Sequence, residues 1–181
     1  MTRPALFATV AAVTIFCGIA QAGVTDFQCT FPNDPQEIYH TWTFDYQDLE
    51  LTLAEAINGG GADHLMGSGE ADGDPTIHVV KSVENQTGVP WTGYELHLSG
   101  AGVSFVPPTV SSHFLTSNLT ANLIEYFSPN PVPNGDTVVL DFYINVAEAG
   151  LFSFTLTQIP IPEPATLGLL ALGGLLLRRR R

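Results

Sequence analysis

The chain has 181 residues and a net charge of −12, from 18 acidic residues against 6 Lys or Arg. Five of those cations are Arg3 and Arg178 to Arg181, so Lys81 is the only one between the two ends. No basic cluster is left to neutralise phosphates, which argues against nucleic acid or anionic lipid as a partner, and 45% hydrophobic with 10% aromatic residues argues against a disordered acidic tail.

The N-terminus runs from Arg3 through the apolar stretch Ala5 to Ile19 to Ala20-Gln21-Ala22. That is the charged, apolar, small-x-small order of a secretory signal peptide. Residues 1–22 are therefore expected to be removed during export through the Sec machinery, with Gly23 as the first mature residue. Cys17 does not fit a lipidated cysteine, because Ile15 and Phe16 stand where small residues would be required. Once it leaves, Cys29 remains alone. A buried, unreactive thiol is expected there, with an intermolecular disulfide as the sharper alternative.

Residues 23–158 read as one acidic domain of a size that supports a core. Its hydrophobic period is two. Trp42, Phe44 and Tyr46 alternate with Thr41, Thr43 and Asp45, and Leu49, Leu51 and Leu53 with Glu50, Thr52 and Ala54. Helix is expected at most as a turn near Leu53 to Ile57. The stretch Asn58 to Pro75 is glycine-rich and carries Asp63, Glu70, Asp72 and Asp74. A long surface loop is the expectation there, since glycine and aspartate favour turns. Calcium is the alternative, because alternating acids and glycines supply oxygen ligands on a backbone that turns sharply.

Strand character resumes at Pro75 to Val83 and at Tyr94, Leu96 and Leu98. By alternation Trp91 and Tyr94 should lie on opposite sheet faces. Val138 to Val146 and Phe152 to Leu156 follow the same period. Turn signals separate the runs at Asn33-Asp34-Pro35, Asn85 to Gly88, Pro107-Pro108, Asn130-Pro131 and Pro133 to Asp136. Sheets with one wet face must bury the other, so the expected fold is an all-β sandwich of eight to ten strands, jelly-roll or immunoglobulin-like.

Catalytic signals are sparse. His40, His64, His78, His97 and His113 show no zinc spacing, and an exposed strand histidine is the ordinary reading for His78 and His97. Ser68 lies between Gly67 and Gly69, without the strand-turn-helix context of a nucleophile elbow. Paired carboxylates would serve glycoside hydrolysis, but sequence does not choose the pair. Asn85-Gln86-Thr87 and Asn118-Leu119-Thr120 are formal glycosylation sequons.

The last residues are the most specific part of the chain. Pro162-Glu163-Pro164 precedes an apolar run from Ala165 to Leu177, and Arg178, Arg179, Arg180 and Arg181 close the chain. Prolines keep the first part extended. The apolar run can insert as a helix, and the arginines hold their end inside. Thirteen residues make about 20 Å of helix against about 30 Å of hydrocarbon, which suits a signal that is read and removed better than a permanent anchor. An unprocessed single-pass anchor is the plainer alternative.

In this order the segment Ile159 to Arg181 resembles the PEP-CTERM sorting signal of exported bacterial proteins. The resemblance implies recognition by an exosortase, a membrane-embedded cysteine protease, with cleavage near Pro162-Glu163-Pro164. It also implies a product at the cell surface or in an exopolysaccharide or biofilm matrix. The stretch Val83 to Leu98, VENQTGVPWTGYELHL, is similar to a strand-turn-strand found in other PEP-CTERM ectodomains and implies a shared module without a known activity. The expected function is a non-catalytic exported surface or matrix component, without a cofactor unless the calcium reading holds. A carbohydrate-binding module stacking sugars on Trp91 or Trp42 is the alternative, and a secreted hydrolase a further one.

Overall fold

The computed structural model describes residues 22–32, 37–59 and 61–164. Residues 1–21 of the expected signal peptide, Ala20 among them, and the apolar run and arginines from Ala165 onwards lie outside them. Eleven strands, numbered in chain order, form two sheets, and no helix occurs among the described residues. The first sheet has the order β1 (Gly23–Thr30), β4 (Asp63–Asp72), β11 (Gly150–Pro162), β6 (Trp91–Ser99), β9 (Leu123–Val132) and β8 (Thr116–Leu119), all antiparallel. The second has the order β2 (Glu37–Asp45), β3 (Glu50–Ile57), β5 (Thr76–Asn85), β10 (Thr137–Val146) and β7 (Val103–Ser111). It is antiparallel except between β3 and β5.

Period-two alternation decides which side chains enter the core. Along β10, Val138, Leu140, Phe142, Ile144 and Val146 are buried while their neighbours are half-exposed. Inward residues of both sheets merge into one hydrophobic cluster. Each fully buried Leu, Ile or Phe contributes about 1.5–3 kcal/mol over its exposed state. Cys29 belongs to this core on β1.

Three local expectations are corrected. Leu53 to Ile57 is strand, because β3 bonds to β2 and β5 along that stretch. Asn58 to Pro75 is not one loop, since ten of its residues form β4 between β1 and β11. Period two is present there, but only Leu65 among the inward residues is large and apolar, the others being Asp63, Gly67, Gly69 and Ala71. Gly67 and Gly69 stand opposite Phe154 and Phe152, whose rings lie across the glycines. Pro107-Pro108 and Asn130-Pro131 lie inside β7 and β9 instead of between strands. Proline is tolerated at sheet edges, where no ladder donor is lost. β7 is the last strand of its sheet, and Pro131 lies beyond the stretch of β9 that β8 covers.

A tyrosine ties the sheets together. Tyr126 of β9 shares a 2.5 Å hydrogen bond with Thr109 Oγ1 of β7. Burial pushes its phenol from 10.0 up to about 12, the Thr109 bond opposes this, and the Asp141 carboxylate adds to it. A folded-state value above the unfolded one means that stability is intact below pH 10 and is lost as pH rises towards 12. Alkaline unfolding should show a loss of up to about 3 kcal/mol over that window, and Tyr126→Phe should remove this phase.

Candidate functional site

The sorting segment leaves the domain directly from β11, an inner strand of the six-stranded sheet. β11 continues past Gln158 to Pro162, pairing with β6 through Ile159, Pro160 and Ile161, with Pro162 set against Trp91. The β4 ladder on the opposite side ends at the pair Asp63–Gln158. Backbone groups of alternate residues face alternate sides of a strand. Ile161 O accepts from Thr92 Oγ1 at 3.4 Å and Glu163 N donates to Pro90 O at 2.9 Å, so the odd residues face β6. Pro160 and Pro162 therefore turn their missing donors to the side beyond the end of the β4 ladder, where a proline costs no ladder bond. Gly93 allows this close approach: a Cβ there would meet Tyr126 O at 2.7 Å and Ile161 Cδ1 at 3.3 Å. Pro162 and Pro164 are exposed and Glu163 is half-buried.

The turn beneath this junction is held by the residues of the Val83 to Leu98 stretch. Asn85 is fully buried, and its Nδ2 donates to Val89 O at 2.9 Å, Val132 O at 3.0 Å and Pro133 O at 3.2 Å. Its Oδ1 accepts from Thr87 N at 3.1 Å and Thr87 Oγ1 at 2.7 Å, and Trp91 Nε1 donates to that same hydroxyl at 3.0 Å. Gly88, at φ 80°, donates to Asn134 Oδ1 at 2.7 Å. The Asn-x-Thr-Gly pattern is thus a folded turn that packs the indole, and Asn85 is inaccessible as a glycan acceptor.

Trp91 cannot serve as a sugar-stacking platform, because none of its surface is exposed. Nor do Trp91 and Tyr94 lie on opposite faces. The β6–β9 ladder shifts register between Trp91 and Gly93, and this irregularity turns both rings inward, with centroids 5.7 Å apart. Trp42 is half-buried and packs edge-on against Phe27 at 6.2 Å.

The four acids considered for calcium are not brought together. Asp63 is fully buried at one end of β4, whereas Glu70 and Asp72 are exposed towards the other, about 23 Å and about 30 Å away at strand rise. Asp74 lies beyond β4 and accepts from Asn145 Nδ2 at 2.6 Å. Ser68 is exposed over a surface hollow lined by Asp26, Glu70 and Leu151, with no histidine in its lining to act as base. His78 is more engaged than an exposed strand histidine: it bridges Glu50 Oε2 and Asp141 Oδ1, each at 3.0 Å, and stacks on Tyr143.

Sequence reasoning missed a buried polar cluster beside the junction strand. Lys81, Glu55, Asp63 and Gln158 are all fully or almost fully buried. Tyr94 Oη donates to Gln158 Oε1 at 3.0 Å, and Gln158 Nε2 donates to Glu55 Oε2 at 3.1 Å and to Asp63 Oδ2.

These features define a two-sheet, all-β domain whose inner strand ends in an extended, proline-bounded processing segment. Residues 160–181 match the PEP-CTERM protein-sorting motif. The chain therefore carries the signal of an exported protein that an exosortase sorts and processes. No curated protein and no solved structure matches the chain.

Proposed function

We propose that this protein is a non-catalytic cargo: a β-sandwich exported through the Sec machinery and held briefly in the inner membrane by residues 165–177. An exosortase then releases it to the cell surface or an exopolysaccharide matrix. The sorting motif at residues 160–181 carries this reading. The way β11 runs into that motif supports it, because the last residues of the strand, 160–162, are also the first of the motif, and Pro162 and Pro164 are exposed on extended backbone at its end. The acidic body fits an exported role, since a large net charge keeps such a domain soluble.

Mass spectrometry of the mature C-terminus tests the proposal. Protein recovered from the cell surface should end near Pro162-Glu163-Pro164 and lack the apolar run and arginines. Replacing these three residues by alanine should instead leave full-length protein in the membrane fraction. Recovery of surface protein with Arg181 intact would refute the processing step. Failure of the processed protein to co-sediment with the host's own polysaccharide would remove the matrix role.

A further inference from the structure

The single cation between the two termini is buried in the domain's interior. Lys81 lies on β5 in phase with Ile77, Val79 and Val83, and none of its surface reaches solvent. Its Nζ approaches Glu55 Oε2, on the neighbouring parallel strand β3, to 2.5 Å. Apart from that approach, Nζ has no hydrogen-bond partner among the described residues, and neither has Glu55 Oε1. An ammonium has three N–H groups to satisfy and a carboxylate two oxygens. A buried ion pair whose partners are incompletely satisfied by the surrounding protein carries a desolvation cost that mutual attraction does not recover. The same two groups joined as an amide present one N–H, one carbonyl and no charge.

We propose that Lys81 and Glu55 condense into an intramolecular amide bond that links β5 to β3 inside the domain. A proton passes from Nζ to Oε2, leaving an amine in contact with a carboxylic acid. The nitrogen lone pair attacks Cδ, the N–C bond forms, and the carbonyl electrons move onto Oε1. A second proton moves from nitrogen to Oε2, the carbonyl re-forms, and the Cδ–Oε2 bond breaks with loss of water. Ammonium plus carboxylate becomes amide plus water, with no other reactant. Gln158 Nε2 already donates to the oxygen that departs.

The fold supplies what the reaction lacks in solution. Amine and acid are held at contact distance, and well-oriented intramolecular pairs reach effective concentrations of roughly 10⁵ M and above. The surrounding core keeps bulk water from reversing the bond. Nearby hydrophobic residues on both strands, Leu51, Leu53, Val79 and Val83, are almost completely buried.

The test is the intact mass of the purified exported protein in denaturant, compared with the mass required by its two sequenced termini. The wild-type protein should be lighter by one water, and Lys81→Met should carry its full mass. Peptide mapping should recover a branched pair of peptides joined through Lys81 and Glu55. Wild-type protein at full mass overturns the proposal. So does a deficit of one ammonia with Lys81 joined to Gln158, or a lost water that maps to any other residues. The wild-type mass decides even if Lys81→Met fails to fold, and tail processing does not alter the map at residues 55 and 81.

Discussion

Asn85→Ala is expected to destabilise the domain by about 3 kcal/mol, because it removes buried hydrogen bonds and leaves their partners unpaired. The side chain lies against three carbonyls from two different turns and orders the hydroxyl of Thr87 that receives the Trp91 indole. Backbone bonds cross at the same residue, with Asn85 N donating to Asp136 O at 2.9 Å and Gly135 N to Asn85 O at 2.5 Å. Loss of the side chain therefore loosens the β5–β6 turn, the β9–β10 turn and the bed of the largest aromatic together. Thermal unfolding should shift down by about 10 °C. Asn85→Asp should fare no better, since a carboxylate cannot donate to the three carbonyls. A shift of only a degree or two would show that water replaces the amide without loss.

Gly67→Ala should have an effect of similar size, about 2–3 kcal/mol, through overpacking instead of lost bonds. A Cβ at Gly67 would stand well inside van der Waals contact of the Phe154 ring, which is itself buried. That ring cannot retreat easily, since Phe152 lies parallel to it on the same strand, with centroids 6.5 Å apart. Combining Gly67→Ala with Phe154→Leu should cost less than the two single changes added, and denaturant midpoints of the four proteins would measure the coupling. Simple additivity would show that the glycine is needed for its backbone and not for the space above it.

Much of the architecture was legible because a sheet with one buried face writes a period of two into its strands. β10 follows the alternation of Val138 to Val146, and β11 that of Phe152 to Leu156. The rule failed where the inward residue is not large and apolar. In β4 the inward positions include Gly67 and Gly69, whose partner rings are supplied by β11, so the strand resembled a loop in composition alone. It failed again at Trp91, where a register shift breaks the alternation that strand sequence alone implies.

The polar interior could have been suspected from the same pattern. Lys81 and Asn85 are in phase with Ile77, Val79 and Val83, Glu55 with Leu51 and Leu53, and Gln158 with Phe152, Phe154 and Leu156. Reading the alternation only through apolar residues hid them. That Lys81, Glu55 and Gln158 meet depends on strand order and sheet packing, which local sequence does not encode. The sorting tail was legible for a different reason. Its information lies in the linear order of proline, apolar and basic parts, and needs no tertiary partner to be read.

The position of β11 has a mechanical consequence. A tether at the C-terminal end of the domain would pull along the axis of a strand bonded on one edge to β4 and on the other to β6. Tension in that direction loads both ladders in shear, so many hydrogen bonds must yield together. A tether on an edge strand such as β1 or β8 could instead be peeled away one pair at a time. A domain held by this end is built to stay folded under drag.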